Sequence, residues 1–348
     1  MSWRNILLLL LIIGAIHLLV IYGCMYGGSR EKKSETAGET VDAGNSILKK
    51  IFSGGRSAAA AAAKKNPEPE KVVPWKYGKN GVLPPNLQKQ AKMAKSAVIV
   101  DLASRQVLWE KNSLQPVAVA SLTKLMTALL VVEKLGKASG LELDSKVEMS
   151  RSAAAVESRK FNAGDKFTVK DMIRAMMICS ANDAATLLSE RLSGSSDVFV
   201  REMNKRAAEM GLTSAKFNSP SGLPQKGVNS FASAGDILHL CEAVMKYPVI
   251  MDACGESYAK LSNGKEIYTT NGLLKYPTKA RPYWKKVDGL FGFKTGYTKA
   301  AGSCLAFGVR RGGRTVLGCV TGFPSSADRE RFCSSLIEWA FQSGQVKN

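Results

Sequence analysis

Histidine is almost absent from this chain: His17 and His239 are the only two in 348 residues. His17 sits in an apolar run, and His239, in the helical stretch Leu238-His239-Leu240, reads as a packed or surface side chain. No G-x-S-x-G element accompanies it, so a Ser-His-Asp hydrolase lacks its parts and a serine nucleophile would need another base. Lysine can be that base where burial or a neighbouring cation lowers its pKa toward neutrality. Metal-ligand spacing is missing too. Seven cysteines, at 24, 179, 241, 254, 304, 319 and 333, form no C-x-x-C pair. That argues against structural zinc, and neither a metal nor a cofactor is expected. The odd count leaves at least one thiol unpaired, and most read as core fillers. Cys304 and Cys319 fall in neighbouring predicted strands, with their connectivity left open.

Acidic residues are also scarce, 29 against 49 lysines and arginines, for a formal charge of +20. Such a surface suits nucleic acid, acidic lipid or an anionic polymer such as cell wall. No nucleic-acid fingerprint or concentrated basic helix is present, so no nucleic-acid partner is expected. Apolar residues make up 45% of the chain, enough for a substantial core.

Residues 6–26 read ILLLLLIIGAIHLLVIYGCMY. At a rise of about 1.5 Å per residue this run spans roughly 30 Å of hydrocarbon. It is longer than the apolar stretch of a cleaved signal peptide, which favours a transmembrane anchor over a signal segment at residues 1–26. Cys24 after Gly23 leaves lipidation as an alternative, against which Tyr22 counts. Basic residues stand on both sides of the span, so charge does not orient it. Residues 27–77 hold Gly-Gly, a Glu/Lys/Ser-rich run, a six-alanine tract and N-P-E-P-E, the composition of a tether. As a random coil it would reach roughly 40 Å. The folded domain is expected over 78–345.

Within it, residues 96–101 (SAVIVD) and 106–110 (QVLWE) predict a β-hairpin. Apolar periodicity predicts helices over 118–135, 169–178, 184–192 and 233–246, with a break at 179–183. Three β-runs follow at 289–295, 303–310 and 315–321, the last two joined by a tight turn at Arg311-Gly312-Gly313-Arg314, and a final helix covers 327–342. Strands open and close the domain with helices between. An α+β fold follows, an antiparallel sheet flanked by helices with an all-helical lobe.

Three short motifs carry chemistry. Ser121-Leu122-Thr123-Lys124 places a hydroxyl and an amine on one helical face, about 5–6 Å apart at Cβ. A serine at the helix start also meets free backbone N–H groups and the helix dipole, which favour developing negative charge. Taken singly, the motif is more often a capping serine with an exposed lysine. Ser180-Ala181-Asn182 falls in the interhelix break, where a hydroxyl and a carboxamide can reach a cleft. An ordinary turn would look the same. Lys294-Thr295-Gly296 ends a predicted strand whose edge can bind an extended peptide, with charge, a hydroxyl donor and room for close approach. The three in this order, S-x-x-K, S-x-N and K-T-G, match the signature of penicillin-binding proteins and class A β-lactamases far more specifically than any one alone.

From about residue 95 to 341 the chain resembles the low-molecular-mass D-alanyl-D-alanine carboxypeptidases, whose fold is β-lactamase/transpeptidase-like. The resemblance runs through Ala120-Ser121-Leu122-Thr123-Lys124-Leu125-Met126-Thr127, Ser180-Ala181-Asn182-Asp183-Ala184 and Phe217-Asn218-Ser219-Pro220-Ser221-Gly222-Leu223. It continues in Thr270-Asn271-Gly272-Leu273-Leu274, Gly292-Phe293-Lys294-Thr295-Gly296-Tyr297-Thr298 and Ala301-Gly302. It implies that Ser121 attacks the carbonyl between two D-alanines, Lys124 takes its proton and Ser180 relays a proton to the leaving amine. Asn182 would hold the acyl-side amide, and Lys294, Thr295 and Arg329 would meet the terminal carboxylate. The N–H groups of Ser121 and Tyr297 would form the oxyanion hole; a surface charge at a helix start is the plainer reading of Arg329. The implied partners are peptidoglycan stem peptides and β-lactam inhibitors. The implied location is the outer face of the cytoplasmic membrane, reached through the N-terminal segment. Two departures stand out, Tyr297 and Ser221, each where the family often has histidine. Family members often add a C-terminal β-domain and an anchoring helix, which an N-terminal anchor would replace here. A β-lactamase is the nearest alternative, but no E-x-x-L-N element lies between Ser180 and Lys294. A DD-endopeptidase and a non-catalytic wall-binding module remain further alternatives.

Overall fold

Strand β1 (Ser96–Asp101) follows its period of two: Ala97 and Ile99 face one core, Val98 and Val100 the other. A strand buried on both faces must lie inside a covered sheet. The structure, a computed structural model describing residues 71–136, 138–275 and 278–343, shows that sheet. It adds β2 (Val107–Lys111), β3 (Leu290–Thr298), β4 (Gly302–Arg311) and β5 (Arg314–Phe323), all antiparallel, in the order β2-β1-β5-β4-β3. The two ends of the domain therefore pair, with Ser96 opposite Thr321. The turn between β4 and β5 has positive φ at both Gly312 (53°) and Gly313 (78°), the geometry a two-residue hairpin loop requires.

In chain order the helices longer than one turn are α1 (Pro85–Ala91), α2 (Lys124–Lys134), α3 (Val169–Ile178), α4 (Asn182–Ser193), α5 (Ser196–Met210), α6 (Ala234–Val244), α7 (Pro248–Gly255) and α8 (Ser326–Ser343), with a single turn at Arg151–Ala154 between α2 and α3. α1 and α8 cover one face, setting Leu87, Phe332, Leu336 and Ile337 on Ile99, Leu305 and Phe307. The helical lobe, α2 to α7, shares a second core with Val98, Cys304, Ala306, Leu317 and Cys319. α2 is buried on every side from Lys124 to Val131, as an apolar central helix must be. The α+β reading holds; the lobe is mainly helical rather than all-helical, because Lys146–Glu148 pairs with Lys166–Thr168 as a small two-stranded sheet between α2 and α3.

Local differences have physical causes. The helix expected over 118–135 is broken. Val117–Ala118 pairs with Phe231–Ala232, Ala120–Thr123 forms a 3-10 turn, and only then does α2 begin. Ala120 takes φ 48°, which ends any continuous helix there. α4 starts at Asn182 rather than 184. α5 was not anticipated, although Phe199, Met203, Ala207 and Met210 give it a buried stripe at helical spacing.

Residues 71–77, which composition assigns to the tether, lie against the domain instead. Val72 N donates to Met210 O and Lys76 N to Arg105 O, while Val107 N donates to Lys76 O. Trp75 is buried, stacked on His239 with ring centroids 4.9 Å apart, and the Arg105 guanidinium lies 4.2 Å from its ring centre. One large aromatic ring overrides a polar context. His239 is thus a packed residue, and the six described cysteines are all free and buried. The expected span at residues 6–26, Cys24 and the rest of the tether lie outside the described residues. Among those described, no helix is long and apolar enough to cross a membrane, and no cluster of potential metal ligands occurs.

Candidate active site

Ser121 lies on the 3-10 turn and Lys124 is the first residue of α2, so both face the same point from one turn of chain. Lys124 is completely buried, and its Nζ is 3.0 Å from Ser121 Oγ. Nζ also donates to Asn182 Oδ1 at 2.7 Å and to Ser221 O at 2.6 Å. Those two oxygens can only accept, so they claim two N–H groups. Ser121 Oγ lies in the third direction, the one a neutral amine would fill with its lone pair. Burial, and after it the charge of Lys294, holds the Lys124 ammonium well below the ordinary lysine range.

Asn182 is oriented by its other end, Nδ2 donating to Glu157 O at 3.0 Å. Ser180 precedes it with φ 60°, a conformation costing on the order of 1–3 kcal/mol for a residue with a side chain. Ala181 N and Cys179 N both donate to Ala175 O, and these bonds fix the bend. A capping box at the start of α3, Thr168 with Asp171, anchors the helix that delivers this bend.

β3 is the edge strand of the sheet, and it carries Lys294, Thr295, Gly296 and Tyr297 past the serine. Lys294 is buried, donating to Thr295 O at 2.9 Å, and burial pushes its pKa down to about 7. Thr295 Oγ1 shares a hydrogen bond with Thr270 Oγ1. Gly296 needs its missing side chain: a Cβ there would lie 3.1 Å from Ser121 N and 3.2 Å from Val119 O. The Tyr297 side chain is exposed, so it leaves the cleft to its backbone.

Arg329, on α8, is buried, with Nη1 donating to Cys304 O at 3.0 Å and Nη2 to Glu330 Oε1 at 2.7 Å. It lines the same cleft of about 810 Å³ as Ser121, Ser180, Asn182, Thr295, Gly296 and Tyr297. Lys124 and Lys294 are buried behind these residues. All nine residues singled out in the sequence are thereby gathered around one cavity. Three contributions were missed: the Ser221 carbonyl on Lys124, the Thr270 hydroxyl on Thr295 and the Glu157 carbonyl on Asn182. Two of these are backbone oxygens, which carry no residue-type signal.

A family model described as D-alanyl-D-alanine carboxypeptidase matches residues 85–324. The D-alanyl-D-alanine carboxypeptidase DacF of Bacillus subtilis is 34% identical over 257 residues, 72% of this chain and 63% of that one. The chain therefore spans less than two thirds of that relative's length. The D-alanyl-D-alanine endopeptidase of Escherichia coli is 31% identical over 221 residues, 60% of this chain and 65% of that protein. Among solved structures, penicillin-binding protein D2 of Listeria monocytogenes, determined with ampicillin bound, superposes with a TM-score of 0.63 at 30% identity. That match covers 72% of this chain and 98% of the other.

Proposed function

The chain belongs to the D-alanyl-D-alanine carboxypeptidase family, and from that membership and the cleft we propose that it is a serine-type carboxypeptidase removing the terminal D-alanine from peptidoglycan stem peptides. The observation that carries this reading is the buried Lys124 amine, bonded to Asn182 Oδ1 and the Ser221 carbonyl, with its Nζ 3.0 Å from Ser121 Oγ.

Ser121 Oγ attacks the carbonyl carbon of the penultimate D-alanine as its proton passes to Lys124 Nζ. The backbone N–H groups of Ser121 and Tyr297 receive the negative charge that develops on oxygen, each worth about 3–4 kcal/mol of barrier. Collapse of the tetrahedral adduct breaks the C–N bond. The proton held by Lys124 passes through the Ser180 hydroxyl to the departing amine, which leaves both side chains as they began and the acyl group as an ester on Ser121. Water then cleaves that ester. Asn182 holds the acyl-side amide, while Lys294, Thr295 and Arg329 receive the free carboxylate. That carboxylate contact restricts cleavage to the last peptide bond. The same attack on a β-lactam opens the ring and leaves the inhibitor esterified to Ser121. The only carboxylate side chain among the cleft-lining residues is Glu157, exposed beside Ser158. Among the described residues that line the cleft none is a buried carboxylate that could activate a deacylating water, which favours a penicillin-binding enzyme over a β-lactamase.

Residues 1–26 supply the apolar length for a single-pass anchor, and the substrate places the catalytic domain on the outer side of the cytoplasmic membrane. Membrane fractionation tests the anchor: recovery of the intact chain in the soluble fraction contradicts it. The match to the E. coli endopeptidase supports a second reading, cleavage of cross-links between stem peptides. Incubating wild type and Ser121→Ala with a stem pentapeptide and with a cross-linked dimer tests both readings. Release of free D-alanine by wild type alone supports the carboxypeptidase. Cleavage of the dimer without D-alanine release supports the endopeptidase, and action on neither substrate contradicts both.

A further inference from the structure

Behind the carboxylate end of the cleft lies a buried group that this chemistry does not use. Glu330, next to Arg329 on α8, is 1% exposed. Its Oε1 accepts from Arg329 Nη2 at 2.7 Å and from Gly272 N at 2.9 Å. Gly272 belongs to the segment 270–274, which touches the site twice more. Thr270 Oγ1 bonds Thr295 Oγ1, and Thr270 N donates to Ile178 O, at the end of the helix leading to Ser180. One carboxylate oxygen thus joins the guanidinium to the loop that also holds Thr295.

The local sequence is shaped around this junction. A Cβ on Gly272 would lie 2.6 Å from Glu330 Oε1 and 2.3 Å from Trp284 Cδ1, so only glycine lets the loop close on the carboxylate. Stability does not explain the arrangement. Glu330 Oε2, Arg329 Nε and Asn271 Nδ2 are all buried without a hydrogen-bond partner. A cluster kept for stability alone would be satisfied or apolar.

We propose that Glu330 is a positioning residue for carboxylate recognition: it holds Arg329, and through the 270–274 segment Thr295, in the geometry that selects ligands ending in a free carboxylate. The inference rests on the reading of Arg329 and Thr295 as carboxylate contacts. Without Glu330 the guanidinium keeps only its bond to Cys304 O and gains rotational freedom. Recognition of a planar carboxylate needs placement within about 0.5 Å, which such a side chain would not hold.

The test uses the full-length protein and two probes, a penicillin and the methyl ester of its carboxylate. Second-order acylation rates are measured for both on each protein sample. The ratio of the two is then independent of the fraction that is folded. Wild type is expected to favour the free acid. Glu330→Ala lowers the free-acid rate about tenfold or more and leaves the ester rate within about twofold. Glu330→Gln keeps an oxygen acceptor for both donors and restores the ratio. An unchanged ratio in Glu330→Ala, or a Gln variant as poor as the Ala variant, overturns the assignment. A wild type that takes acid and ester alike, or neither, contradicts the carboxylate reading of the cleft itself.

Discussion

Lys124 and Lys294 are two fully buried amines serving one cleft, and after burial itself the charge on Lys294 is what lowers the proton affinity of Lys124. In the proposed mechanism the pair divides the labour of the site: one amine must be neutral to act as a base, the other charged to attract a carboxylate.

The activity should therefore follow a bell in pH. kcat/KM needs Lys124 neutral, which its lowered proton affinity favours, and Lys294 charged, a charge that is lost as pH rises through about 7. Lys294→Arg keeps the charge and removes the falling limb. Initial rates of D-alanine release across the range check this, and a profile that is flat through neutrality contradicts it.

Stability should respond to the same lysine. The unfolded chain keeps Lys294 protonated up to about 10.5, the folded protein only to about 7. Between those values the unfolded state binds more protons, so stability rises with pH across that window. Below about 7 the buried charge is carried by the folded state at a cost. Lys294→Met should accordingly melt higher than wild type at low pH, lose that pH slope, and recognise substrate poorly. Thermal melts at several pH values decide it.

Gly296→Ala should spare the fold and damage the chemistry. The added methyl would sit 3.1 Å from Ser121 N, tight enough to push β3 off the serine. The neighbours must give by a few tenths of an ångström, so kcat should fall, by less than the roughly 100-fold that a misplacement of about 1 Å costs. A variant with unchanged kcat would show that the strand need not lie so close.

Much of this site was legible because its chemistry is local or periodic. Ser121 and Lys124 share one turn, and the alternation in β1 announces a doubly covered strand. Illegible features depended on distant backbone. The break before α2 exists because Ala120 turns through positive φ beside Gly296 of β3, a contact no window around Ser121 contains. The Ser221 carbonyl that holds Lys124 comes from 97 residues away. Composition assigns residues 71–77 to the tether because Trp75 stands among prolines and charges, with no periodic partners to suggest burial.

That last difference moves the domain boundary. A protein starting at residue 71 should be soluble and as stable as its parent. Trp75→Ala should cost about 3–5 kcal/mol, the range for emptying a buried aromatic site. Urea melts test the pair. Equal stability of wild type and Trp75→Ala would return this segment to the tether.

The decisive measurement is peptide mapping of the protein after exposure to a labelled penicillin. A long-lived ester on Ser121, absent from Ser121→Ala and much slower to form in Lys124→Ala, is the expected result, without rapid turnover of a chromogenic cephalosporin. Label on another residue, or acylation undiminished when either side chain is removed, would contradict the mechanism.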